Sequence, residues 1–132
     1  MYQVTKKFHF SAAHSLPALP PEHKCHRLHG HNYEVEICVS SEELNAVGMV
    51  IEFEILSDVM DPLVAALDHR NLNDFMSFPT TAENVARYFF LACEYKFDPC
   101  RERLEWVSVS ETPKTKATFT AEKKTDDNNA RK

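Results

Sequence analysis

Between His31 and Ser40 the chain alternates: Tyr33, Val35, Ile37 and Val39 share one parity, and Asn32, Glu34, Glu36 and Cys38 share the other. A period of two sends these sets to opposite faces of a pleated strand, so the stretch predicts a strand with one face in a core. Such a strand needs neighbours and a cover for its apolar face. Tyr2, Val4, Phe8 and Phe10, set against Gln3, Thr5, Lys7 and His9, predict the first neighbour. Ser11 to Cys25, with Pro17, Pro20 and Pro21, reads as a loop. Gly48 predicts a turn before Met49-Val50-Ile51.

From Ile55 to Leu67 the period changes. Leu56, Val59, Met60, Leu63, Val64 and Leu67 recur at three and four, one stripe of a helix that Pro62 bends or starts late. A second helix is predicted from Ala82 to Tyr95, with Val85, Phe89 and Ala92 inward. Thr80 and Glu83 read as a capping box at its start. Strands over Leu104–Glu111 and Ala117–Glu122 follow, with Pro113 in the turn. The order β-β-α-α-β-β predicts an α+β fold, a four-stranded antiparallel sheet covered on one face by helices, as a single domain over residues 1–122. Its two open edges invite association. The last ten residues, 123–132, are polar and read as a disordered tail.

A net charge of −5 argues against nucleic acid as the main partner. No apolar run approaches the roughly 18 residues of a membrane span. With no signal-like start and no paired Cys spacing, the reading is cytoplasmic, with Cys25, Cys38, Cys93 and Cys100 reduced. Cys38, Cys93 and Cys100 are expected to be buried and inert.

Six of the seven histidines fall in the first 31 residues, ending in His29-Gly30-His31. Two imidazoles two apart at a strand start share one face, and Gly30 between them leaves room for another element. If the first two strands pair antiparallel, His14 lies beside the start of the second, near His31. Three imidazoles then converge as they do in catalytic zinc sites; the bland alternative is surface decoration. Cys25 is either a fourth ligand, closing a structural zinc module, or a free thiol acting as base or nucleophile. Asp68-His69 is either an acid–base pair or a histidine placed against a helix dipole. Glu111, at a strand end, can accept two N–H bonds from an amidine-like ring or simply be solvated.

The run Cys25-His26-Arg27-Leu28-His29-Gly30-His31-Asn32-Tyr33 resembles the signature of the 6-pyruvoyl-tetrahydropterin synthase and 6-carboxytetrahydropterin synthase family. The resemblance extends to Phe10-Ser11-Ala12-Ala13-His14, Gly48-Met49-Val50-Ile51, Leu67-Asp68-His69-Arg70-Asn71-Leu72-Asn73, Thr81-Ala82-Glu83-Asn84 and Ser110-Glu111-Thr112. It implies the tunnelling fold, whose subunits join edge to edge into a barrel, usually a hexamer of two stacked trimers. It implies Zn2+ on His14, His29 and His31, Cys25 as catalytic base, and Asp68 and His69 in proton transfer across a subunit interface. Glu111 would anchor the pterin, and Thr81 would lie near its pocket.

The substrate implied is 7,8-dihydroneopterin triphosphate. Three residues between Cys25 and His29-Gly30-His31 resemble the queuosine-pathway branch, which forms 6-carboxy-5,6,7,8-tetrahydropterin with release of acetaldehyde and triphosphate. The 6-pyruvoyl branch is the alternative; Cys25 argues against a third branch that carries glutamate there. Lys24, His26 and Arg27 are candidates for the triphosphate. Glu52, where relatives often have aspartate, and the apolar loop Phe75-Met76-Ser77-Phe78-Pro79 depart from the pattern.

Overall fold

Two strands of thirteen residues set the architecture. A computed structural model describes residues 1–122; the predicted tail lies outside the described residues. The elements are β1 (Tyr2–His14), β2 (His29–Ser41), α1 (Phe53–Leu67), β3 (Arg70–Asn71), α2 (Ala82–Cys93), β4 (Arg103–Ser110) and β5 (Ala117–Thr120). Single 3-10 turns lie at Lys24–His26, Leu72–Asp74 and Glu94–Lys96. The strands form one sheet in the order β3-β1-β2-β4-β5. All pairs are antiparallel except β3, which adds to β1 in parallel through Ala12↔Arg70 and Ala13↔Asn71.

The α+β layering follows the prediction, with five strands rather than four. The extra strand has two residues, too few to show a period. β1 also runs on to His14 through what reads as loop. Ser11, Ala12 and Ala13 are too alike in size and polarity to alternate visibly, yet Ala12 and His14 are buried.

α1 starts at Phe53, two residues earlier than expected, and passes through Pro62, so Pro62 does not mark a late start. Pro62 and Asp58 are both exposed, and the Asp58 carbonyl left without its usual N–H partner can meet water. The capping-box reading of Thr80 fails. Thr81 is the N-cap of α2, its side chain accepting from the Asn84 N–H, and Thr80 is fully buried.

Phe8, Phe10, Tyr33, Val35 and Ile37 from the sheet meet Leu56, Met60 and Leu67 of α1 and Val85 and Phe89 of α2 in one core. Each such side chain contributes about 1.5–3 kcal/mol gross on burial. All four cysteines are free. Burial pushes the Cys38 and Cys93 thiols up to about 11 and about 12. Cys100 is exposed, against expectation, because it sits in the turn after α2. Among the described residues, no helix is long and apolar enough to cross a membrane.

Candidate metal centre and active site

His14 closes β1 and His29 opens β2, and the register sets these two opposite each other, with His31 opposite Ala12. The sequence placed His14 beside His31; it is His29 that faces it. His14 shares the parity of Phe8 and Phe10, and His29 and His31 share that of Tyr33 and Val35, so all three imidazoles lie on the core face. Ring centroids are 4.5 Å apart for His14–His29, 4.9 Å for His29–His31 and 5.2 Å for His14–His31. One ligand atom from each lies within 4.8 Å of the others, a group able to hold a metal ion. Gly30 is exposed, and a Cβ there would meet only the Ala12 carbonyl at an ordinary 3.5 Å, so close approach does not require glycine.

The outer partners of these rings decide which nitrogen faces inward. His14 Nδ1 lies 2.7 Å from the Thr80 carbonyl and His29 Nδ1 lies 2.8 Å from the Arg27 carbonyl. A carbonyl only accepts, so each Nδ1 carries a proton, which leaves Nε2 as the nitrogen available to a metal. Burial, the largest effect, holds the imidazoles of His14 and His31 below their ordinary value, and their histidine neighbours add to it; Glu111 opposes. Both shifts favour the neutral ring, the form that binds metals.

Glu111 stands one residue past β4, on the parity of Val107 and Val109. Its Oε2 lies 3.3 Å from His14 Nε2 and 3.7 Å from His31 Nε2. His14 Nε2 is nevertheless buried without a hydrogen bond. The three converging imidazoles are a donor set that suits zinc, and the Glu111 carboxylate stands beside it. The Tyr33 hydroxyl is a second buried atom without a partner. Burial, with a smaller push from the Glu111 charge, raises its phenol.

The remaining predicted residues lie outside this cluster. Cys25 is half-buried in the Lys24–His26 turn and is not a member of the metal-competent group, which counts against a fourth, closing ligand. Asp68 caps the end of α1. Its Oδ1 accepts from the Ser11 N–H at 2.9 Å, and its Oδ2 lies 3.0 Å from His69 Nδ1. His69 holds φ at +58°, in the left-handed region that costs a non-glycine residue about 1–2 kcal/mol. Its N–H bonds the Ser11 carbonyl at 2.6 Å, tying the strained residue to β1. The His69 side chain is 81% exposed. Among the described residues, neither it nor Asp68 is bonded to the imidazole cluster.

A model of the family described as 6-pyruvoyl tetrahydropterin synthase matches residues 3–122. The chain belongs to that family. Within 6-pyruvoyl tetrahydropterin synthase relatives, it is 40% identical over 100 residues to a 6-carboxy-5,6,7,8-tetrahydropterin synthase of Synechocystis, covering 71% of this chain and 76% of that protein. It is 32% identical over 122 residues to the enzyme of the same name from Bacillus subtilis, covering 85% and 80%. Among solved structures, the 6-pyruvoyl tetrahydropterin synthase of Caenorhabditis elegans superposes with a TM-score of 0.79 at 30% identity, covering 92% of this chain and 96% of that one. The fold is therefore the tunnelling fold of this family.

Two polar residues beside the histidine cluster of this chain escaped sequence reasoning. Thr80 reads as a cap because it stands three residues before a glutamate. Asn73 reads as one polar residue among several after Asp68. Both act through tertiary contacts with the end of β1, and no local spacing signals that.

Proposed function

We propose that this protein is a zinc-dependent lyase that converts 7,8-dihydroneopterin triphosphate and water to 6-carboxy-5,6,7,8-tetrahydropterin, acetaldehyde and triphosphate. The observation that carries the reading is the convergence of three imidazoles, two of them with Nδ1 held by a backbone carbonyl so that Nε2 is left free, with Cys25 outside the metal-competent group. His14, His29 and His31 would hold the ion. When bound, zinc supplies a Lewis acid that polarises the substrate's side-chain oxygens and acidifies the neighbouring C–H bonds.

The chain's own residues supply the rest. Cys25, free and half-buried, takes a carbon-bound proton as general base. His69, oriented by Asp68, returns or relays a proton, and triphosphate leaves from the resulting enol. Glu111 accepts two N–H bonds from the 2-amino-pyrimidinone edge of the pterin, which positions the side chain. The Thr81 oxygen is engaged by the Asn84 N–H, while its own proton stays available to the ring. The exposure of Asp68–His69 and the open outer edges of the sheet support a homo-oligomer, in the hexameric form the resemblance implies, in which this pair serves a neighbour's site.

The test is incubation of zinc-loaded protein with dihydroneopterin triphosphate, followed by acetaldehyde and pterin analysis. Acetaldehyde with a 6-carboxy product is expected. Triphosphate without acetaldehyde, and a three-carbon side chain on the product, assigns the 6-pyruvoyl reaction instead. If neither triphosphate nor an altered pterin appears, the reading fails.

A further inference from the structure

We propose that Thr80 and Asn73 are positioning residues of the metal centre, joined through Ser15 into a clamp that fixes His14 and so sets how tightly zinc is held. The inference rests on the reading of His14, His29 and His31 as a zinc site. Its parts come from three separate segments: the end of β1, the turn after β3, and the residue before the N-cap of α2.

Asn73 grips Ser15 at two points. Its Oδ1 accepts from the Ser15 N–H at 2.9 Å, and its Nδ2 donates to the Ser15 carbonyl at 3.0 Å. Ser15 is the next residue after His14, so this pair fixes the backbone from which the ligand projects. Thr80 is completely buried, and its hydroxyl lies 3.3 Å from the same Ser15 carbonyl and 3.5 Å from Asn73 Oδ1. That hydroxyl is also 3.1 Å from His14 Nδ1, beside the Thr80 carbonyl at 2.7 Å. The Nδ1 proton is thus shared between two oxygens of one residue, and the hydroxyl's own proton points on to Ser15. The ring can neither flip nor exchange its proton between nitrogens without breaking the set.

Thr80 is in turn held by the start of α2. Asn84 donates its side-chain Nδ2 to the Pro79 carbonyl at 2.9 Å and its backbone N–H to Thr81 Oγ1 at 3.2 Å. Helix N-terminus, loop and strand end are therefore one hydrogen-bonded unit with a ligand at its centre. Outer partners of metal-bound histidines commonly account for about 10–100-fold in metal affinity.

The experiment measures zinc affinity by chelator competition, together with the visible spectrum of the cobalt-loaded protein. Thr80→Val keeps the shape and the backbone carbonyl but removes the hydroxyl, and is expected to weaken zinc about tenfold and shift the cobalt bands. Thr80→Ser, which keeps the hydroxyl, is expected to restore both. Parent-like affinity and spectrum in Thr80→Val would overturn the clamp. So would equal weakening in the serine and valine variants, since packing would then explain the loss. Should Thr80→Val not fold, Asn73→Asp decides: it keeps the acceptor for Ser15 N–H and loses the donor, and unchanged zinc affinity there refutes the proposal. A parent chain that binds no zinc defeats the metal reading and the clamp together. A chain that binds zinc but does not turn over the pterin leaves the clamp standing or falling on the affinities alone.

Discussion

The histidine end of the β1–β2 pair and the Asp68–His69 corner both combine imidazole with carboxylate, yet they are built in opposite ways. At the first, His14 is buried, two of the three rings have their outer nitrogen fixed by a carbonyl, and the inward atoms converge within 4.8 Å. At the second, one imidazole and one carboxylate pair in solvent, tied to β1 only through the backbone of Ser11. The fold of a single chain brings the three imidazoles together but leaves the Asp68–His69 pair displayed. On the proposed function, affinity for the ion is an intramolecular property, whereas turnover depends on what the exposed corner meets.

Four changes break or sharpen that contrast. His31→Ala removes one of three ligands, and is expected to lower zinc affinity more than about a hundredfold, beyond the range of an outer partner, and to abolish turnover. Chelator competition reads the first effect and product analysis the second. Cys25→Ala should lose about 10²–10⁴ of turnover with metal content intact. Metal lost along with activity in that variant would return Cys25 to the ligand set.

Asp68→Asn should cut turnover without touching zinc, and its stability has a pH signature. The Ser11 N–H, then His69, hold the Asp68 carboxyl below its ordinary value. A carboxylate depressed in the folded state stabilises above its unfolded value, and the gain is lost as pH falls through the lowered folded one. Melting curves of the parent and Asp68→Asn should therefore separate near neutrality and merge in acid. The smallest effect is at Tyr33, whose hydroxyl is buried without a partner. Tyr33→Phe should leave the melting temperature unchanged or raise stability by up to about 1 kcal/mol.

The elements that sequence analysis predicted well are those with a long, unbroken period. β2 and α1 bury the parity and stripe expected of them, because a sheet face or a helix face in a core leaves its mark on every second or every third-to-fourth residue. The misses share a cause as well. β3 has two residues, the last turn of β1 is built from small side chains, and Thr80 sits beside a true N-cap. In each, the deciding contact joins positions about 60 residues apart: His69 to Ser11, Asn73 to Ser15, Thr80 to His14. Local pattern carries no trace of such pairings.

By itself, the sequence determined the layered α+β plan and singled out three imidazoles, a cysteine, a carboxylate–imidazole pair and a glutamate as candidates. Residue type and period are local, and they are enough to choose elements and name candidate residues. Only the tertiary structure decided that His14 faces His29, that a carbonyl oxygen holds its Nδ1 and leaves Nε2 free, that Thr80 is a buried partner rather than a cap, and that Cys25 stands outside the metal-competent group. Those are matters of register and hydrogen-bond direction, which exist only once distant segments have closed around one another.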